Sequence, residues 1–154
     1  MDQHVRDAVG QRWGSALALT GAVLIVDLAT KGWAVAQLSS AQARPSTGIV
    51  RLHSVLNQGA AFGIGSSRPR LVLVMAFSAT VLCLGWLLMT RSAAERLAVA
   101  TVLGGALGNL VDRAADSTVT DWVQVAGYPF TFNLADLALR VGGLVAVALR
   151  LRGS

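Results

Sequence analysis

Twenty consecutive residues, Leu71 to Thr90, carry no charged side chain. A run of that length matches the roughly 20 apolar residues that a helix needs to cross a bilayer core, and it limits what the rest of the chain can be. Three other stretches have similar character. Trp13 to Leu38 is uncharged apart from Asp27 and Lys31, and Ala93 to Val111 apart from Glu95 and Arg96. Phe130 to Leu149 is interrupted only by Asn133, Asp136 and Arg140. Hydrophobic residues make up 54% of the 154 and charged ones 14%, against about 25% charged in soluble domains. So little polar surface cannot cover a water-soluble particle of this size. The expectation is an all-α integral membrane protein: one membrane domain over residues 1–154, with transmembrane helices at about 13–38, 71–90, 93–111 and 130–149.

The net charge of +5 raises the question of nucleic acid, but the basic residues are scattered singly with no aromatic interleaving. They fit the flanks of membrane spans, and no nucleic-acid partner is expected. One cysteine and two histidines exclude a disulfide scaffold and make a metal centre unexpected. No metal and no cofactor are called for. Ala34-Val35-Ala36 has the look of a signal-peptide cleavage site. Asp27 and Lys31 break the apolar region before it, so the first span is expected to be retained. With four spans, Arg6, Arg12, Arg91, Arg96, Arg150 and Arg152 gather on short segments of one side. Arg44, Arg51, Arg68 and Arg70 spread over a longer loop on the other. The bias places both termini in the cytoplasm and the 39–70 and 114–131 loops outside.

That topology brings polar residues together. Asp27 and Lys31, Asp112 and Arg113, and Asn133 and Asp136 all fall toward the end of the bundle from which both longer loops emerge. Gly105, Asn109, Asp112 and Arg113 share one helix face, and Asn133, Asp136 and Arg140 share another. Ionisable groups inside a membrane are costly and are functional candidates by default. Each also has a plainer role. Asp27 and Lys31 are spaced as an i, i+4 ion pair, Asp112 and Arg113 suit a helix end, and Gly104 and Gly108 suit close helix packing. Asn57-Gln58-Gly59 suits a turn, and Arg140 suits neutralisation of Asp136 or an outward reach. Serine hydrolysis lacks its G-x-S-x-G motif and zinc proteolysis its H-E-x-x-H. Carboxylates gathered at one membrane face remain, and they suit aspartyl proteolysis, proton-coupled transport in a small carrier, or a scaffold with no chemistry.

Three motifs then stand in order: Asn57-Gln58-Gly59-Ala60-Ala61-Phe62-Gly63, Gly104-Gly105-Ala106-Leu107-Gly108-Asn109-Leu110-Val111-Asp112-Arg113, and Phe132-Asn133-Leu134-Ala135-Asp136. Together they resemble the bacterial lipoprotein signal peptidase (signal peptidase II) family. The resemblance implies a four-helix membrane aspartyl endopeptidase of the bacterial inner membrane. Its implied substrates are diacylglyceryl-modified prolipoproteins, cut just before the lipidated cysteine at the outer boundary among membrane lipids, with no oligomer required. It implies Asp121 and Asp136 as the catalytic pair, with Asn57, Asn109, Asn133 and Arg113 lining the site and Asp112 supporting it through Arg113. Asp27 and Lys31 join the supporting set, and Asp116 stands as the competitor to Asp121. A small extracytoplasmic β-rich cradle is implied in the first loop, where Ile49 to Leu56 suits a strand. The family's D-Q reads Asp27-Leu28 here, and its V-D-F reads Thr120-Asp121-Trp122.

Overall fold

The computed structural model describes residues 3–38, 48–59 and 65–153, with side chains from Trp13 onward. Helix α1 runs Gln3–Leu38, strand β1 Val50–Asn57, α2 Pro69–Met89, α3 Ala93–Asp116, β2 Val119–Val125, β3 Thr131–Phe132 and α4 Leu134–Arg152. Among the described residues, the Trp13–Leu38 part of α1, α2 and α3 are each long and apolar enough to cross a membrane. The expected fourth span is a helix of 19 residues carrying Asp136, Arg140, Arg150 and Arg152. The protein is thus mostly helical, with a small antiparallel sheet. Ala60 to Gly63 of the first motif, and Arg6, Arg12 and Arg44 of the orientation argument, lie outside the described side chains.

Local chemistry sets the helix ends. Pro69 opens α2, where its missing N–H leaves no donor unpaired. Ser92 caps α3 by accepting from the Glu95 N–H at 3.1 Å, half of a capping box. Ser117, with φ of 59°, ends α3 and turns the chain toward β2. Asn133 caps α4 by accepting from the Asp136 N–H at 2.9 Å. This cap corrects the expected boundary: Thr131–Phe132 is strand, Asn133 is the cap, and the helix starts at Leu134.

The packing follows from glycine placement on α3. A Cβ at Gly104 would meet Val23 and the Thr20 carbonyl of α1, and one at Gly105 the Ala135 carbonyl of α4. From α4, Gly142 rests in the same way against the Ala98 carbonyl and Val102 of α3. Small residues on two faces therefore let α3 press backbone to backbone on both neighbours, as tightly packed membrane helices do. Large apolar side chains turn outward instead, Leu82 and Leu144 being 73% and 74% exposed.

The sheet has the order β1-β2-β3, all antiparallel. Only β1 comes from the first loop. The expected 114–131 loop contains strand as well, with α3 persisting to Asp116, β2 pairing with β1, and Gly127 (φ 81°) in the turn before β3. The cradle is therefore shared between the two connections rather than confined to the first.

Candidate active site

Asp121 lies on β2, opposite Val55 of β1, and is 2% exposed. Asn57 Nδ2 donates to its Oδ2 at 2.9 Å and Asn133 Nδ2 to its Oδ1 at 2.6 Å. Burial pushes its carboxyl up to about 6; the two asparagine bonds and Lys31 pull against this, while the charge of Asp136 adds to it. Asp136 sits in the first turn of α4, where its Oδ1 accepts from Asn109 Nδ2 at 3.0 Å. Asn109 Oδ1 accepts in turn from Asn133 Nδ2 at 3.3 Å. The two carboxylates are thus held by three asparagines that come from a strand, a helix interior and a helix cap.

Behind them lies a second layer. Lys31 Nζ is 2.6 Å from Asp27 Oδ2, 3.0 Å from Asp112 Oδ2 and 3.0 Å from Asn109 Oδ1. The other oxygen of Asp27 accepts from the Ala135 N–H at 2.8 Å, at the open N-terminus of α4. Gly108 makes room for this, since a Cβ there would strike the Asp27 carboxylate.

Asp112 differs from expectation. It binds Lys31 and accepts, at 3.4 Å, from the Thr120 N–H of β2; it makes no bond to Arg113. Successive residues on a helix point about 100° apart, so Asp112 faces α1 while Arg113 turns elsewhere. Arg113 donates to the Gly59 carbonyl at 2.9 Å and to the Asn109 carbonyl at 3.2 Å, tying the turn after β1 to α3. Arg140 does not pair with Asp136. Its guanidinium lies over Tyr128 and Phe132, 5.9 and 5.8 Å from the ring centroids. Asp116 is exposed at the end of α3, outside the cluster. Gly59 and Thr120 stand in the sequence motifs with no role of their own; here the Gly59 carbonyl anchors Arg113 and the Thr120 N–H anchors Asp112, backbone roles for which a side-chain motif gives no signal.

Asp121, Asp136, Asn57, Asn109 and Arg113 line one cleft of about 740 Å³. Its other wall is apolar and comes from α2, with Val72, Met75, Ala76 and Ala79. Two carboxylates at one cleft, one of them titrating near 6, are suited to sharing a proton and dividing the work of base and acid.

A family model described as signal peptidase (SPase) II matches residues 19–152. A lipoprotein signal peptidase of Bifidobacterium longum is 36% identical over 143 residues, covering 88% of this chain and 77% of that protein. Those of Syntrophomonas wolfei and Chromobacterium violaceum are each 33% identical, covering 89% and 88% of this chain and 90% of their own length. Two solved structures of bacterial membrane enzymes share the fold, each with a TM-score of 0.78, at 22% and 23% identity. They cover 90% and 92% of this chain, and 88% and 95% of their own. A family model spanning nearly the whole chain, together with these relatives, makes the protein a member of the signal peptidase II family.

Proposed function

We propose that the protein removes the signal peptide from diacylglyceryl-modified prolipoproteins, cutting just before the lipidated cysteine, with Asp121 and Asp136 as the catalytic pair. The observation that carries the reading is the arrangement of the two aspartates: they come from separate elements, are both braced by asparagines, and line one cleft opposite an apolar wall from α2. The substrate class follows from the relatives' name, lipoprotein signal peptidase. Proton-coupled transport finds no support in the family or in those relatives.

In this mechanism the scissile carbonyl enters between the two carboxylates. The ionised one takes a proton from water as the water oxygen attacks the carbonyl carbon, and the protonated one gives its proton to the carbonyl oxygen. The newly protonated carboxyl then gives its proton to the leaving nitrogen while the other carboxylate takes a hydroxyl proton from the diol; the carbon–nitrogen bond breaks and the pair again shares a single proton. Asn57, Asn109 and Asn133 hold the acids in place, and Arg113 and Asn57 stand where a peptide backbone would lie. Such positioning supplies much of the rate.

In the bilayer, α4 serves as the fourth span, both termini are cytoplasmic, and the sheet lies at the outer face of the cell membrane among lipid headgroups. The arginine bias supports this orientation. The direct test supplies purified protein with a lipid-modified prolipoprotein and with its unmodified precursor. Cleavage of the first alone, leaving the lipidated cysteine as the new N-terminus, is expected. Proton flux into vesicles with neither precursor cut would sink the proposal.

A further inference from the structure

Lys31 has a role that burial alone does not explain. It is 3% exposed and is not among the residues lining the cleft, so it does not reach a substrate. Its ammonium has three N–H donors, and three oxygens surround it: Asp27 Oδ2, Asp112 Oδ2 and Asn109 Oδ1. The consequence falls on Asn109. The two ends of a primary amide have nearly the same shape and opposite polarity. The ammonium demands the oxygen end, so the NH2 end points to Asp136 Oδ1, 3.0 Å away. A reversed amide would set its oxygen against a carboxylate and its NH2 against an ammonium. Asn133 Nδ2 favours the same polarity through a longer, neutral contact of 3.3 Å. On its other side Lys31 holds Asp112, whose carboxylate accepts from Thr120, the neighbour of Asp121 on β2.

We infer that Lys31 is a positioning residue for the cleavage: it fixes the amide polarity of Asn109 so that a donor meets Asp136, and through Asp112 it steadies the strand that carries Asp121. This rests on the aspartyl reading of the site proposed above. The charged groups around it are Asp27 on α1, Asp112 and Arg113 on α3, Asp121 on β2 and Asp136 on α4.

The test compares wild type with Lys31→Met, which keeps the apolar stem and removes the ammonium, in the full-length protein with a lipid-modified prolipoprotein. Turnover per folded molecule should fall about 100-fold, the scale of a roughly 1 Å misplacement, with KM within about 2-fold because Lys31 stays clear of the cleft. The acid limb of the pH–kcat profile should move to higher pH, since the cation that opposes the rise at Asp121 is lost. Lys31→Met leaves Asp27 and Asp112 without their cation, so Lys31→Met/Asp112→Asn is made beside it, with Asp112→Asn as its reference. This double change leaves the net charge of the cluster unaltered and, against its reference, should show the part of the loss that runs through Asn109, with a shift in the same direction. A folded variant of either kind with unchanged kcat and profile overturns the inference, as does a rise in KM at constant kcat. Asp136→Asn run alongside separates the two proposals. If it retains turnover the aspartyl reading falls, and if it is inactive while the Lys31 variants behave as wild type, only the role of Lys31 falls.

Discussion

Charge is buried at both ends of the helix bundle, and the two ends treat it differently. At the end away from the sheet, Glu95 is 4% exposed and accepts from Trp86 Nε1 at 3.0 Å and from Arg150 at 3.3 Å. Beside it, Arg96 donates to the Thr90 carbonyl and lies over the Trp13 ring. One acid there is set against two cations, with aromatic faces and a helix-end carbonyl completing the contacts. At the sheet end, Asp27, Asp112, Asp121 and Asp136 gather around Lys31 and Arg113 among the described residues, and two of the acids border a cleft whose lining also includes Arg140. A buried charge in a membrane protein is therefore not in itself a sign of chemistry. An excess of acid beside open space is the more telling feature.

The strongest way to break this contrast is to neutralise the acids at the cleft. Asp121→Asn and Asp136→Asn should each abolish cleavage, with losses on the order of 10²–10⁴-fold for each acid–base role. The double variant should be no worse than either single one, because the pair works as a unit. If Asp121→Asn cleaves normally while Asp112→Asn is inactive, Asp112 is the true partner of Asp136.

A second test asks what the excess of acid costs. Asp121 has its carboxyl raised from 3.8 to about 6 by burial, so folding favours the neutral form. Its stabilising contribution is complete below about pH 3.8 and is lost as pH rises through 6. Above that the ionised carboxylate costs the fold about 3 kcal/mol. The difference in Tm between Asp121→Asn and wild type should accordingly move in favour of the variant from about pH 4 to about pH 7. A difference that stays flat across that range would show that Asp121 carries no such burden.

Packing sharpens the comparison further. Gly108→Ala should cost about 1–3 kcal/mol through overpacking and lower turnover as well, because the added methyl displaces the Asp27 carboxylate. Gly143 of α4 has no atom within 4 Å of a built Cβ, so Gly143→Ala should leave the fold as stable or up to about 1 kcal/mol more so. Thermal unfolding in detergent, read beside cleavage, separates the two. The smallest effect belongs to the far end. Glu95→Gln keeps an acceptor for Trp86 and loses a charge facing the half-exposed Arg150, so it should cost less than about 1 kcal/mol. Its turnover per folded molecule should be unchanged. Loss of turnover there would erase the distinction between the ends.

Much of this was legible in the sequence because periodicity and charge are local signals. The uncharged run became α2 almost residue for residue, and Ile49–Leu56 became β1. The stripe of Gly105 and Asn109 did turn toward α4. What escaped needed a partner far along the chain. Val119–Val125 alternates as a strand does, but it sits in a short connection and is fixed only by pairing with β1. The start of α4 was blurred because Phe130 and Phe132 extend the apolar run past the cap, although the Asn133 cap and the acid at Asp136 were visible helix-start signals. The resemblance links Asp112 to its neighbour Arg113, whereas its ion-pair partner Lys31 lies on another helix, beyond the reach of a local motif. Glu95 and Arg96 stand in the sequence only as charges at the start of the third span; the capping pattern of Ser92 and Glu95 is a local signal that marks this helix start.

The glycines of α3 have a consequence for what the cleft can admit. They lock α3 to α1 and α4, so the wall bearing Asn109 and Asp136 is rigid. Helix α2 meets α3 through side chains instead, Leu87 packing among Val99, Ala100 and Leu103, while its own Gly85 faces open space. Its wall consists of Val72, Ala76, Ala79 and the pliable thioether of Met75, a residue type that adapts to irregular partners. One side of the groove is an anvil and the other a cushion. Under the proposed function, such a groove is expected to accept apolar segments by bulk rather than by letter, and to present each to the same pair of acids.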